Sequence, residues 1–300
     1  MAGRQFSLWC KRSHQAGRCA ILQADAYSTT ATEERHLERI LTQRKILRVR
    51  PAISWPGGKS RLLDSILPLI PKHTCYCEPF AGGLAVLLAK PRSQLEVIND
   101  IDGALVTFYR CVRFHPDVLL TELEFVLNSR EEFFDFRTQP GLTDIQRAAR
   151  WFFRNKVGFA GSIDSFGVGA LGGGASHGSR SNRMEAIRAL SLRLDRTCIE
   201  HVSWEKCLTL YDRPSTFFFL DPPYTECGRT AYDGWTNTDV QALRDRLDQL
   251  RGKWLLTLND SAAIRTIFSD CKIRAVTRAR GINNKEGQRS LYRELVISPR

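Results

Sequence analysis

The stretch Thr216-Phe217-Phe218-Phe219-Leu220-Asp221-Pro222-Pro223-Tyr224 decides how this chain folds. Its first five residues run without polar alternation, as in a strand covered on both faces, which is the habit of parallel sheets. Two prolines then stop the ladder, because neither carries an N–H and both fix φ. Asp221 and nearby carbonyls are thereby held as acceptors at the carboxyl edge of a sheet, with the flat ring of Tyr224 beside them. That set suits an amino group on an aromatic base: acceptors take the amino hydrogens and the ring stacks on the base face. The plainer alternative is a proline turn that ends a strand.

Outward from this stretch, strands alternate with helices. Residues 75–78 read as a strand, followed by a glycine turn and a helix over 84–90. Residues 95–99 read as a second strand and 103–113 as a second helix, with a further helix over 60–69 before them. After Tyr224 come a helix over 239–250, a strand over 254–258, and strands over 274–277 and 291–297 that suit an antiparallel pair. This grammar predicts an α/β fold with a Rossmann-like, doubly wound sheet. Residues 116–196 break it. They show helical patterns, little strand signal and a glycine-rich run over 158–178, and from Arg137 to Arg196 they hold ten Lys and Arg against four acids. They read as a basic, mainly helical insertion.

The 300 residues carry 44 Lys and Arg against 32 Asp and Glu, a formal net charge of +12. So basic a chain suits a polyanionic partner, most simply nucleic acid, although general solubility charge gives the same count. Nine cysteines fit no zinc spacing, and their odd number argues against a fully paired disulfide framework. They read as reduced thiols, and no metal is expected. No uncharged apolar run approaches the ~18–20 residues that span a bilayer, and no secretory signal opens the chain. A cytoplasmic location without membrane contact is the expectation. Residues 1–48 read as a polar, disordered extension with at most one helix, over 32–47. Arg4, Lys11, Arg12 and Arg18 precede its first acid, which weakly resembles an organelle transit peptide, although a disordered extension or a misassigned start is the preferred reading.

Ser54-Trp55-Pro56-Gly57-Gly58-Lys59-Ser60 ends like a phosphate loop. Such a loop needs a first glycine five residues before the Gly-Lys-Ser, and Ile53 stands there. The glycines read instead as a close-approach turn or a helix-capping turn. Glu78-Pro79-Phe80-Ala81-Gly82-Gly83 places small residues at a strand end, where a backbone can approach a ligand. Asp100 ends the next strand. An acid there can accept from a ribose diol, or simply cap the following helix.

Together, WPGGK at 55–59, EPFAGG at 78–83, IND at 98–100 and DPPY at 221–224 resemble, in order and type, the Dam-like (alpha-ordered) adenine-specific DNA methyltransferases. The likeness covers roughly residues 51–298, including the final-strand pattern Arg293-Glu294-Leu295-Val296-Ile297. It implies an S-adenosylmethionine-dependent catalytic domain over 49–115 and 197–300, and a DNA target-recognition insertion over 116–196. Trp55, Lys59, Glu78, Phe80, Gly82, Asp100, Ile101 and Asp221 match cofactor-contacting positions. Asp221, Pro222 and Tyr224 match the catalytic motif. The family often has Ser or Ala after its glycine turn, and Leu84 departs from that.

The resemblance implies methyl transfer from S-adenosylmethionine to the exocyclic amino group of an adenine flipped out of double-stranded DNA. It also implies a monomer, with room for a cognate restriction endonuclease. The basic residues Arg147, Arg150, Arg154, Lys156, Arg180 and Arg183 are the candidates for DNA contacts; a solvated helix face is their plainer reading. Two alternatives stay open: a methyltransferase for cytosine or an RNA base, and a non-catalytic DNA-binding relative.

Overall fold

A computed structural model describes residues 49–158, 163–167, 180–224, 235–279 and 291–300. In chain order these form α1 (Leu63–Ile66), β1 (Cys75–Glu78), α2 (Ala85–Ala89), β2 (Leu95–Asn99), α3 (Gly103–Phe114), α4 (Pro116–Phe125) and α5 (Arg130–Thr138). There follow α6 (Asp144–Val157), α7 (Arg180–Leu194), β3 (Thr197–Glu200), α8 (Trp204–Tyr211), β4 (Thr216–Leu220), α9 (Asn237–Asp248), β5 (Lys253–Asn259), α10 (Ala262–Ile267), β6 (Lys272–Ala279) and β7 (Leu291–Ser298). The expected helix over 32–47 and most of the glycine-rich run lie outside the described residues.

The strands make one sheet in the order β3-β2-β1-β4-β5-β7-β6. The first five positions of that order are parallel, and β7 pairs antiparallel with both β5 and β6. The chain winds outward from β1 through β2 to β3, then returns to β4 on the other side of β1. The order thus reverses between β1 and β4, and a crevice opens at the carboxyl ends of such a pair. The Glu78–Gly83 loop and the Asp221–Tyr224 turn, far apart in sequence, leave the sheet there side by side.

The unbroken apolar run of β4 is explained by its two covered faces. Phe217 and Phe219 pack into one core cluster with Leu87, Phe108, Phe152 and Val296. Phe218 and Leu220 pack into the other with Val240, Leu256 and Phe268. Helices α6 and α7 join the first cluster through Trp151, Phe152, Ile187 and Leu190, so the described residues form one compact unit. A buried ion network latches α7 to the sheet: Glu96 of β2 accepts from Lys90 at 2.6 Å and from both arms of the Arg193 guanidinium.

Three local differences from the sequence reading have physical causes. The expected single helix over 60–69 is a 3-10 turn at Lys59–Arg61, the one-turn α1, and a second 3-10 turn at Leu67–Leu69. Pro68 cannot donate a helical hydrogen bond, which ends the α-helical turn there. Strand β3 was not read, because only Thr197 of its four residues is fully buried and no apolar run announces it. Helix α8 was missed too, although Ser203 caps it by accepting from the Lys206 N–H. The six described cysteines are free thiols, and no described helix is long and apolar enough to cross a membrane.

Candidate active site

The Gly57-Gly58 turn aims Lys59 into the crevice. Gly57 sits at φ +75°, a left-handed conformation that costs glycine little, and the Gly58 N–H closes the turn on the Trp55 carbonyl at 3.1 Å. The Lys59 ammonium then bonds the Gly57 carbonyl at 2.6 Å and both carboxylate oxygens of Asp221, at 2.6 and 2.7 Å. Only 3% of Lys59 is exposed. A cation so buried demands this density of acceptors, since an unpaired one costs several kcal/mol. No phosphate cradle forms here: the lysine meets a carboxylate.

Asp221 is held from the other side by Thr257 of β5, whose hydroxyl donates to Oδ1 at 2.8 Å. Burial pushes the Asp221 carboxyl above its ordinary range, while the Lys59 charge and the two hydrogen bonds pull it back. Tyr224 is also buried. Its hydroxyl donates to Glu294 Oε2 of β7 at 3.0 Å, and Lys59 Nζ stands 5.0 Å from its ring centroid. Glu294 Oε2 lies 3.9 Å from the same ammonium.

The second motif is braced as tightly. Gly82 adopts φ +44°, and a Cβ there would sit 2.8 Å from the Trp55 indole; at Gly83 it would meet Trp55 Cβ at 3.2 Å. The small residues therefore make room for Trp55, which joins the 55–59 and 78–83 segments. Asp100 Oδ2 accepts the Gly82 N–H at 3.0 Å, its Oδ1 accepts the Asp102 N–H at 3.0 Å, and Tyr109 donates to the Gly82 carbonyl at 2.5 Å. Asn99 ties this loop to the end of β3, donating to the Pro79 and Val202 carbonyls and accepting from the Val202 N–H. Ile101, beside Asp100, leaves 58% of its surface exposed at the rim. Phe80 is half-buried against Trp204 and Trp235, with ring centroids 6.4 and 5.7 Å away.

Glu78 is buried at the end of β1. Its Oε1 accepts from Tyr76 at 2.5 Å and from the Leu87 N–H at 2.8 Å, which satisfies the open amino end of α2. Burial pushes this carboxyl up to about 8 against those bonds. Leu84, the residue that departs from the family habit, enters α2 at φ +58° and is the one non-glycine residue at positive φ among the described residues. Its side chain is fully buried, and that packing holds the strained backbone in place.

The basic candidates divide. Arg147 is exposed beside Asp144, Arg180 is exposed beside Glu124, and Arg150 lies half-buried over Phe136. Lys156 is also half-buried, and burial lowers its ammonium below the usual lysine range. Arg154 and Arg183 are buried, 9% and 6% exposed, over the rings of Phe133 and Phe153. Those two guanidiniums are committed to the interior. Spacing along α6 could not separate the two groups, because a 3.6-residue period does not say which face packs.

Thr257, Glu294, Asn99 and Asn155 take part although no role was read for them. Asn155 of α6 pairs with the backbone of Ser54, donating to its carbonyl at 2.8 Å and accepting its N–H at 2.9 Å. This joins the basic helix to the segment that carries Trp55 and Lys59. The only available signals were polar residues inside otherwise apolar strands or helix faces: Thr257 within Trp254–Leu258, and Glu294 before Leu295-Val296-Ile297.

Residues 55–282 match the family model described as D12 class N6 adenine-specific DNA methyltransferase. A type II methyltransferase, M1.LlaDCHI of Lactococcus lactis subsp. cremoris, is 27% identical over 280 residues, spanning 86% of this chain and 98% of that protein. Type II methyltransferase M.MjaIII of Methanocaldococcus jannaschii is 25% identical, spanning 84% and 100%. A DNA adenine methylase of Haemophilus influenzae is 23% identical, spanning 83% and 93%.

Proposed function

Because the chain belongs to the D12 class of N6 adenine-specific DNA methyltransferases, we propose that the crevice between β1 and β4 holds S-adenosylmethionine and receives a flipped adenine from duplex DNA. The observation that carries this reading is the convergence of Lys59, Asp221, Thr257, Tyr224 and Glu294 at the topological switch point. The residues present fit the cofactor in chemistry. Asp100 supplies an acid at the end of β2, Ile101 an exposed apolar surface beside it, and Trp55 and Phe80 the aromatic walls. S-adenosylmethionine, when bound, supplies an electrophilic methyl group.

Asp221 and the Pro222 carbonyl accept the two hydrogens of the adenine amino group. The lone pair of that nitrogen, otherwise delocalised into the ring, is thereby turned out of the ring plane. This is orientation and electrostatic preorganisation, without a covalent enzyme intermediate. Tyr224 stacks on the base, which offsets part of the few kcal/mol that unstacking costs. Oδ1 of Asp221 already meets both Lys59 and Thr257, whereas Oδ2 meets Lys59 alone, so Oδ2 is the oxygen with a lone pair left for the base.

Residues 49–115 and 197–300 form the catalytic portion in this reading, 116–196 the recognition portion, and 1–48 an extension. Arg147, Arg150, Lys156 and Arg180 are the cations placed to meet phosphates, while Arg154 and Arg183 hold α5, α6 and α7 together. The chain works as a monomer in the cytoplasm. The names of the type II relatives favour a cognate endonuclease as partner.

The test is transfer of labelled methyl groups from S-adenosylmethionine to adenine-containing duplexes, with the modified positions mapped. Asp221→Ala should abolish transfer and keep DNA affinity. Transfer surviving in that variant, or methyl groups found on cytosine, would sink the reading.

A further inference from the structure

One buried carboxylate has no part in the chemistry so far. Glu294 lies on β7 opposite Asn259 of β5, and none of it reaches solvent. A carboxylate withdrawn from water is costly unless partnered, so its partners define its use. They include the Tyr224 hydroxyl at 3.0 Å and, at 3.9 Å, the Lys59 ammonium that also bonds Asp221. The two side chains of the 221–224 turn are therefore steadied by neighbouring strands: Asp221 by Thr257 of β5, Tyr224 by Glu294 of β7. Backbone prolines fix where the turn leaves the sheet. They do not fix the side-chain torsion that decides where the phenol ring points, and a hydrogen bond at the ring's far end does.

We propose that Glu294 is a positioning residue for methyl transfer, anchoring the Tyr224 ring through its hydroxyl and sharing the charge of Lys59 with Asp221. Ring and acceptors then keep their places before a base arrives, so no reorganisation is needed when it does. The inference rests on the reading that Asp221 and Tyr224 receive the adenine.

Four proteins test it: the wild type, Tyr224→Phe, Glu294→Gln and the double variant. Tyr224→Phe keeps a ring able to stack and removes only the hydroxyl, so it breaks the contact even if Glu294→Gln folds poorly. Once mapping of methylated adenines has located the site, three readouts follow. These are thermal melting of the protein alone, fluorescence of a duplex with 2-aminopurine at the target without cofactor, and single-turnover methyl transfer.

Tyr224→Phe should slow single-turnover transfer by about tenfold to a hundredfold, the rate equivalent of a hydrogen bond to a charged acceptor. Glu294→Gln should slow it too, and the double variant should be no slower than the slower single. The 2-aminopurine signal should change alike in all three variants, with cofactor affinity unchanged. Effects of the two substitutions that multiply, or a Tyr224→Phe enzyme with wild-type rate and fluorescence, would overturn the proposal even if melting shows that the bond exists. A wild type that methylates no adenine would overturn the reading of the site, and this inference with it. An active wild type with independent effects overturns this inference alone.

Discussion

The corner around Asp221 and the helix α6 are both rich in charge, and they use it in opposite ways. In the corner, Lys59, Asp221, Thr257 and Glu294 come from four separate segments and meet within hydrogen-bond or ion-pair reach. Along α6, Arg147 and Arg150 stand within one stretch and bond local partners: Asp144, the Leu142 carbonyl and the Gln139 carbonyl. Arg154, on the same helix, belongs with the corner in kind, since its guanidinium is buried over Phe133. A buried charge is committed to structure, whereas an exposed one can exchange its local partner for a ligand. The boundary between the two runs through α6 itself.

The largest expected effect is in the corner. Lys59→Met leaves the half-buried Asp221 and the buried Glu294 without their cation and should cost about 3–5 kcal/mol of stability, read as a lowered urea midpoint. A Lys59→Met protein as stable as wild type would erase the contrast.

The second test uses pH. Glu78 binds its proton up to about 8 in the folded chain, against 4.5 for an ordinary glutamate. Between those values the folded state holds a proton that the unfolded state has lost, so the contribution of Glu78 to stability falls as pH rises from 4.5 to 8 and levels off above. Glu78→Gln should flatten that slope when melting is followed from pH 5 to pH 9. An unchanged slope would show that Glu78 is not held as its burial implies.

On the helix the effects are smaller and of two kinds. Arg154→Ala should lower stability by about 1–3 kcal/mol through lost packing and the loss of its hydrogen bond to the Ile163 carbonyl, with little change in the salt dependence of DNA binding. Arg147→Ala should do the reverse: melting within about 0.5 kcal/mol of wild type, and a log–log salt slope shallower by about one. If the two variants behave alike in both measurements, the line drawn through α6 is misplaced.

The same contrast explains what could be read from sequence. Strands β1, β2 and β4 were legible to the residue, because each is a short, mostly apolar run that stops at a recognisable motif: Glu78-Pro79, Asn99-Asp100 and Asp221-Pro222. The cluster at the switch point was legible in part: Lys59 and Asp221 stood in recognisable motifs, and a doubly wound order brings such motifs to one edge. Thr257 and Glu294 were not assigned, since a polar residue in a strand does not reveal what it faces. Glu78 was expected among the cofactor contacts; that Tyr76 and the open end of α2 both donate to its Oε1 could not be read from the motif. The glycines at 82 and 83 were expected to let the backbone approach a ligand; that their Cβ directions face Trp55 was not legible. In each case the backbone was readable, and the direction of a side chain was set by tertiary packing.

Strand β7 lies between β5 and β6 although it is made after both. On a ribosome adding ~5–20 residues per second, Lys59 emerges on the order of tens of seconds before Glu294. At the end of that interval, from the emergence of β5 until β7 follows, β5 presents an open edge and β6 has no neighbour, the condition under which nascent strands pair with the wrong chain. The residue that steadies the Tyr224 hydroxyl thus arrives with the strand that seals the sheet, so the corner is completed by the same late event that removes the exposed edge.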